Sequence, residues 1–545
     1  IYRSNMKTGE SRFIKPFPDE TSKSLRFNWN TPVIFGKKSG WLYIGSQFLY
    51  RSKDNTATFE RISSDLTTND PNRQLQEKSG GLTIDNSTAE NNTTIFTINE
   101  SPIDENIIWA GTDDGNVNVT SDGGKTWTKL NDFIKGLPPN AVISYIETDN
   151  TNKNSAWVTV DAHQNGDFKP YLFYTEDLGK TWNSMATDSV KSYCHVVRQD
   201  PVNPDLFFLG TELGLYVSLD HGKGWVRFKN KVPLTGIYDM AFQTEQNDLV
   251  LATHGRGIII IDDLTPIRHL TSQVMNQDFA FLPVRPYYFI SEFGAREFTS
   301  DAEFTGPNPS GSARICYFLK KRHIFGEMYI ELYGADSKLM KKLPASPRKG
   351  INVVNVATSL DPPRVPRSPN ILGDAAVGPN YEPGTYTIKL TKGNDTFTTN
   401  LVLNSPRNLS YAEADRKFQR ETLMKSYNML ERLASVDQKI LDTRDTLKAM
   451  SINAKDDNLK NINAAVAECD KMHEKISATQ QGEGGITGQV RLRENIAEVY
   501  GAVNGYLGRP TNLQTKALSL YDSQINDFSA KIDSLIRTIP SGKKK

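Results

Sequence analysis

Over the first 265 residues the chain reads as short apolar, aromatic and β-branched runs cut by turns of Gly, Asn, Asp and Pro, which is the pattern of strands. Trp41-Leu42-Tyr43-Ile44-Gly45, Ile107-Ile108-Trp109-Ala110-Gly111-Thr112, Leu206-Phe207-Phe208-Leu209-Gly210-Thr211 and Leu249-Val250-Leu251-Ala252-Thr253 are examples, each ending in a small residue or Gly. A polar turn and a second strand follow: Gly111-Thr112-Asp113-Asp114-Gly115 and Gly210-Thr211-Glu212-Leu213-Gly214 are direct parallels. Ala252-Thr253-His254-Gly255-Arg256-Gly257 is another, and it runs on into Ile258-Ile259-Ile260-Ile261-Asp262-Asp263. After Asn408 the period changes. Leu423, Tyr427, Leu430, Leu433, Ile440, Leu441 and Leu447 recur at three and four residues, predicting helices over about 411–450, 455–480, 489–505 and 511–537 in an antiparallel bundle. Gln481-Gly482-Glu483-Gly484-Gly485 predicts a flexible interruption, and Gly542-Lys543-Lys544-Lys545 a frayed tail.

One eight-residue shape returns through the strand region: Thr120-Ser121-Asp122-Gly123-Gly124-Lys125-Thr126-Trp127, Thr175-Glu176-Asp177-Leu178-Gly179-Lys180-Thr181-Trp182 and Ser218-Leu219-Asp220-His221-Gly222-Lys223-Gly224-Trp225. A degraded copy, Ser52-Lys53-Asp54-Asn55-Thr56-Ala57-Thr58-Phe59, has Phe for Trp and lacks the Gly. The hydroxyl and the Asp can bond the N–H groups of a tight turn, the Gly can take positive φ, and the Trp can pin the turn to a core. The copies begin at residues 52, 120, 175 and 218, irregular steps near the length of one four-stranded unit. That spacing is expected of a β-propeller. These turns resemble Asp-boxes, the bacterial neuraminidase repeats of sialidases, xyloglucanases and sortilin-type propellers. In such boxes Asp54, Asp122, Asp177, Asp220, Trp127, Trp182 and Trp225 have structural duty, each carboxylate facing its own turn.

The predicted architecture is mainly β: propeller blades over 1–265, a Pro-rich connector over 266–309, an immunoglobulin-like β-sandwich over 310–405 and a helical bundle over 410–540. Pro266, Pro283, Pro286, Pro307 and Pro309 punctuate the connector. At roughly 45 to 60 residues per blade the first region holds about four or five blades, a partial ring. A partial ring exposes sheet edges, so further blades are expected from sequence preceding Ile1 or from another chain. Ile258–Ile261, with no eight-residue turn after it, reads as the last blade.

Lys plus Arg (64) nearly balances Asp plus Glu (63), so no basic field argues for nucleic acid. Cys194, Cys316 and Cys469 fall in three different regions, which argues against an internal disulfide framework and favours a bacterial envelope or surface over animal secretion. No run of about 18 apolar residues predicts a membrane-spanning helix. Without an initiating Met or signal peptide, the chain reads as a mature, processed or truncated product.

From about Gly9 to Arg407 the order of parts also resembles large secreted bacterial proteins known as Asp-box glycosyl hydrolases or sortilin-like propeller proteins. Arg26-Phe27-Asn28-Trp29-Asn30-Thr31-Pro32, Ser64-Asp65-Leu66-Thr67-Thr68-Asn69-Asp70, the Gly111 and Thr253 turns, and Lys320-Lys321-Arg322-His323 carry it. The resemblance implies a propeller followed by a sandwich. A sialidase would need an Arg triad opened by an Arg-Ile-Pro run, which is absent, together with a Tyr–Glu pair and an acid Asp. The two Asp carboxylates of a xyloglucanase match no motif here.

Asp161, His163 and Asp167, followed by Tyr171, form the densest cluster, able to bind a divalent cation or to act as acid and base, though caps on an inter-strand loop explain it more simply. His254 and Arg256 sit on a Gly-flanked turn open to a sugar or carboxylate, or to a buried Arg–Asp pair with Asp262 or Asp263. Asp113, Asp114 and Glu212 hold equivalent turns and would place carboxylates around one mouth of a funnel, though turn formation alone explains them more simply. Asp149-Asn150-Thr151-Asn152-Lys153-Asn154 lacks the Gly and Glu of a calcium loop and reads as a polar turn. Trp29, Trp41, Trp109 and Trp157 are candidates for sugar stacking or for inter-blade packing. No metal or cofactor site is expected. The leading expectation is a cell-envelope or secreted propeller that binds protein or glycan within a larger assembly; the alternative is a glycoside hydrolase working in a propeller cleft.

Overall fold

The computed structural model describes residues 1–18, 24–75, 89–290, 311–481 and 489–538. The predicted Gly-rich interruption lies almost wholly outside them, as do the frayed tail and Pro307 and Pro309. The chain divides into two units, Ile1–Arg285 with Phe318–Lys320, and Pro286–Tyr317 with Lys321–Lys545.

In the first unit the short apolar runs pair into antiparallel meanders. The first is Val33–Phe35, Leu42–Gly45, Leu49–Ser52 and Glu60–Arg61; the second is Ile95–Glu100, Ile108–Thr112, Val117–Thr120 and Thr128–Lys129. The third is Val142–Thr148, Ala156–Asp161, Tyr171–Thr175 and Asn183–Ser184, and the fourth Cys194–Gln199, Phe207–Thr211, Gly214–Ser218 and Val226–Arg227. The fifth has three strands, Gly236–Gln243, Asp248–His254 and Ile258–Ile261. The first strands of sheets two to five touch in succession. These sheets are blades of a β-propeller with their first strands innermost.

Each eight-residue turn joins the third and fourth strands of a blade. In the second blade Thr120 Oγ1 accepts from the Gly124 N–H at 3.0 Å and donates to Asp122 Oδ1 at 2.8 Å. Asp122 in turn accepts from the Thr126 N–H and hydroxyl at 2.9 and 2.6 Å. The residues at the fourth and fifth places are left-handed in every copy: Gly123 and Gly124, Leu178 and Gly179, His221 and Gly222, and in the degraded copy Asn55 and Thr56. The first turn therefore keeps the geometry without glycine, with Thr56 strained at φ 71° and Ser52 Oγ accepting from its N–H at 2.9 Å. At the eighth place Trp127 and Trp225 donate back to the preceding blade, to Ile62 O at 2.8 Å and Met185 O at 3.1 Å. Trp182 stands edge-on to Trp109 of its preceding blade at 6.2 Å.

Packing between blades uses a repeated set of four positions on the second and third strands. Trp109, Gly111, Val117 and Val119 face the third blade; Trp157, Thr159, Leu172 and Tyr174 face the fourth; Phe208, Gly210, Leu215 and Val217 face the fifth. Trp109 and Trp157 fill these interfaces completely, whereas Trp29 is exposed. The small residue is where the next first strand presses in: a Cβ on Gly111 would lie 2.4 Å from Ile143 Cγ2, and one on Gly210 2.6 Å from the Ile237 carbonyl oxygen. The buried Glu100 carboxylate is fully matched, whereas the Trp109 and Trp157 indole nitrogens have no hydrogen-bond partner among the described residues. Glu100 accepts from the Lys38 and Ser39 N–H groups, the Ser39 hydroxyl and the Tyr43 hydroxyl. Past the fifth blade Arg268 is buried against Asp200 at 2.9 Å.

In the second unit a five-stranded sheet runs Tyr287–Tyr288, Asp395–Asn404, Gly384–Lys392, Met328–Tyr333 and Leu339–Pro344, with only the first pair parallel. Ser312–Leu319 pairs with Gly350–Ala357 in another sheet. Helices Glu413–Ser451, Asp456–Ile476, Leu492–Asn504 and Asn512–Thr538 follow, the first touching the other three. Leu423 and Leu430, and Leu433, Ile440 and Leu447, repeat at seven residues and are all buried, as expected of a helix facing partners along its whole length. Asp437 falls on this buried seam and is held by His473 Nδ1 at 2.7 Å.

Candidate functional site

At one end of the propeller the second strand of blades two to five turns into the third, at residues 112–117, 161–171, 211–214 and 254–258. The innermost strand opposite begins with a β-bulge in four consecutive blades, the register skipping Phe96, Ser144, His195 and Tyr238. A bulge leaves its extra residue unpaired and re-aims its side chain. Ser144 turns to Thr159 and the Cys194 carbonyl. In the next two blades the skipped residues meet: His195 and Tyr238 stack at 4.0 Å between ring centroids, 25° apart.

Around this stack the rim gathers acids and rings from three blades. His163 Nδ1 lies 2.6 Å from Asp161 Oδ1, which also accepts the His163 N–H. His195 Nε2 lies 3.0 Å from Glu212 Oε2, while its Nδ1 stays 3.6 Å from Asp161 Oδ2. Burial holds the His195 pKa below its usual value against the pull of both carboxylates. Burial, then the Glu212 charge, pushes the Tyr193 hydroxyl up to about 12, and the same two causes raise Tyr238. The rings form one run: Phe168 against Tyr193 at 6.1 Å, Tyr193 on His163 at 4.9 Å and against His195 at 5.1 Å, and Tyr238 against His254 at 5.2 Å. The outer members face solvent, with Phe168 62% and Tyr238 46% exposed and His254 exposed as well.

The candidates read from sequence thus part company. Asp161, His163, Glu212 and His254 come together, joined by Tyr193, His195 and Tyr238, which sequence reasoning passed over. Asp167 and Tyr171 pair with each other at 2.6 Å farther along the same loop. Asp113 and Asp114 are built into the second blade's turn: Asp113 accepts from the Thr94 N–H and hydroxyl at 2.8 Å and from Asn28 at 3.2 Å, and Asp114 from the Thr68 N–H and hydroxyl. Burial pushes the Asp113 carboxyl up to about 6 despite those donors. Arg256 lies exposed on its turn, so the buried Arg–Asp pair considered for it is absent. Arg268 with Asp200 supplies one instead, and Asp263 accepts from the Thr265 and Arg285 N–H groups. Asp149 caps its own loop through Thr151 and Asn152. Among the described residues no group of three His, Cys, Asp or Glu side chains is placed to hold a metal ion, and no helix is long and apolar enough to cross a membrane. Cys194, Cys316 and Cys469 are all buried.

In the second unit an open groove of about 1140 Å³ runs between residues 363–367 and the long helix. The charges along it are largely consumed in pairs, Arg364 with Glu431, Lys439 with Asp533 and Asp437 with His473. The rim, where unlike groups converge and rings stay exposed, is the stronger site.

No known family and no curated protein sequence matches this chain. Solved structures do. One is a GH74 xyloglucanase from Xanthomonas campestris, at 13% identity and TM-score 0.27 over 45% of this chain and 42% of that one. A GH74 enzyme from Niastella koreensis matches at 12% identity and TM-score 0.31 over 68% and 53%. YCF48 bound to D1 peptide matches at 13% identity and TM-score 0.27 over 50% and 78%. The chain spans about half the length of the two GH74 proteins. At these values the likenesses say nothing of activity, and the propeller stands on its own sheets.

Proposed function

We propose that this chain is a binding protein of the bacterial cell envelope or its secreted fraction, which holds a protein partner on the ring-lined rim of blades three to five. The eight-residue turns fit Asp-boxes in such a reading, as fasteners of the blades. One observation carries it: Asp161 and Glu212 are engaged by His163 and His195, while Phe168, Tyr238 and His254 are presented outward. Exposed rings beside carboxylates suit an amphipathic cationic side chain, Lys or Arg, which gains from the ring faces and from Glu212 together. The partner is therefore a segment bearing such a residue.

The test is a display screen of peptide and glycan libraries against the chain, followed by Tyr238→Ala and Glu212→Gln. Peptides rich in Lys or Arg should be selected, and each substitution should weaken their binding by about tenfold, in keeping with the loss of a ring or charge contact. Selection of glycans alone, or peptide binding indifferent to both substitutions, would overturn the reading.

A second reading, glycoside hydrolysis, has a single observation in its favour. Asp113, with a carboxyl at about 6 and Asp114 beside it, has the proton affinity of a general acid. Against it, both side chains are buried and hold backbone. Hydrolysis of xyloglucan or another polysaccharide, abolished by Asp113→Asn, would establish it.

A further inference from the structure

The four-position face that packs each blade onto the next occurs once more than there are described blades to cover it. In the fifth blade the corresponding residues are Val250, Ala252, Ile258 and Ile260, fixed by the pairs Val250↔Ile260 and Ala252↔Ile258. They match Phe208, Gly210, Leu215 and Val217 of the fourth blade, where Phe208 pairs with Val217 and Gly210 with Leu215. Both Phe208 and Leu215 are fully buried beneath the fifth blade, whereas Ile258 is 72% and Ile260 56% exposed. The small residue is kept too: Ala252 stands where Gly111 and Gly210 admit the next first strand. The opposite face of this sheet, Leu249, Leu251, Ile259 and Ile261, is packed against the fourth blade in the ordinary way.

We propose that Val250, Ala252, Ile258 and Ile260 are the seat of one further propeller blade, contributed by polypeptide outside these 545 residues. A strand face carrying two exposed isoleucines is costly in water and is continuous in design with three interfaces already filled. The occupant needs an innermost strand that presses on Ala252 and an apolar stripe, aliphatic or aromatic, on its second and third strands, as blades three to five present to their predecessors. A second copy of this chain does not offer one. The matching front of the first blade, Leu42 and Ile44, is already packed under Ile14 and Phe27 of its own chain. Nor is there length for it elsewhere in the chain, since the longest stretch outside the described residues, 291–310, is shorter than the roughly 40 residues a blade requires.

The experiment places a photo-crosslinker at the exposed position, Ile258→benzoylphenylalanine, and compares side-chain oxidation of Ile258 and Ile260 in the isolated 545-residue chain with that in the protein isolated from its source. The expected result is at least about tenfold slower oxidation in the native protein, the scale of protection that a packed interface confers. The crosslink should fall on a strand-rich segment with alternating apolar residues that is not part of this sequence. Equal oxidation in both samples would overturn the proposal. So would a crosslink to this same sequence, which would make the occupant another part of this chain or a second copy, or protection that appears in the isolated chain as its concentration rises, which would make it a second copy. Unchanged circular dichroism of the Ile258 variant confirms that the probe sits on a folded blade.

Discussion

The eight-residue turn of the fourth blade lies tight against the ring beneath it, and that contact sets up a double-mutant cycle. Trp157 is fully buried between Tyr174 at 4.5 Å and Phe207 at 4.7 Å, and a Cβ on Gly222 would lie 2.3 Å from its Cη2 atom. Gly222→Ala alone therefore carries two costs. Forcing a side chain to φ 75° costs about 1–2 kcal/mol, and overpacking against the indole costs a further ~1–3 kcal/mol. Trp157→Ala alone costs about 3–5 kcal/mol in lost burial and cavity. In the double variant the methyl enters the space the indole left, so only the backbone cost of Gly222→Ala should survive. The coupling should then be about 1–3 kcal/mol in the direction of rescue. The assay is urea unfolding followed by tryptophan fluorescence, which reports this unit alone because all seven tryptophans precede residue 286. If Gly222→Ala costs the same in both backgrounds, the turn does not rest on Trp157 and the account of these turns as fasteners of neighbouring blades fails.

Asp113 gives the propeller a pH signature. Its folded-state pKa, raised by burial from 3.8 to about 6, means its contribution to stability is full below pH 3.8 and is lost as pH rises through 6. That loss is on the order of 3 kcal/mol, and Asp113→Asn should flatten the fall in urea midpoint between pH 4 and pH 7; an unchanged slope would show that another group is responsible. In the helical bundle Leu433→Ala, at a fully buried seam position, should cost about 2–5 kcal/mol, seen in the helical circular dichroism signal, while leaving ligand binding at the propeller rim intact.

The blades were legible because their fasteners are: a hydroxyl, an Asp two places on, two left-handed positions and a terminal aromatic leave a mark that survives even where Gly is lost, as at Asn55 and Thr56. The helices were legible through the recurrence of apolar residues such as Leu423, Tyr427, Leu430 and Leu433 at three and four residues. The rim was only half legible. Asp161, His163 and Glu212 stand out as polar residues on turns, but His195 and Tyr238 lie within strands whose neighbours are apolar, and a β-bulge has no composition of its own. Without the skipped register, His195 is one histidine in a buried strand. Asp113 and Asp114 misled for the opposite reason. Their spacing matches Glu212, yet the loops at Thr68 and Thr94, far away in sequence, fold over and claim them.

The one-residue insertion that recurs at the head of the innermost strand in blades two to five has a consequence for how such a protein can diversify. Because the skipped residue takes no part in the strand register, its identity is released from the demands that fix its neighbours. Phe96, Ser144, His195 and Tyr238 show how different the tenants can be while the surrounding sheets stay alike. The scaffold thus carries a row of four interchangeable sockets, one in each of blades two to five, through which a new specificity could be installed without redesigning the fold.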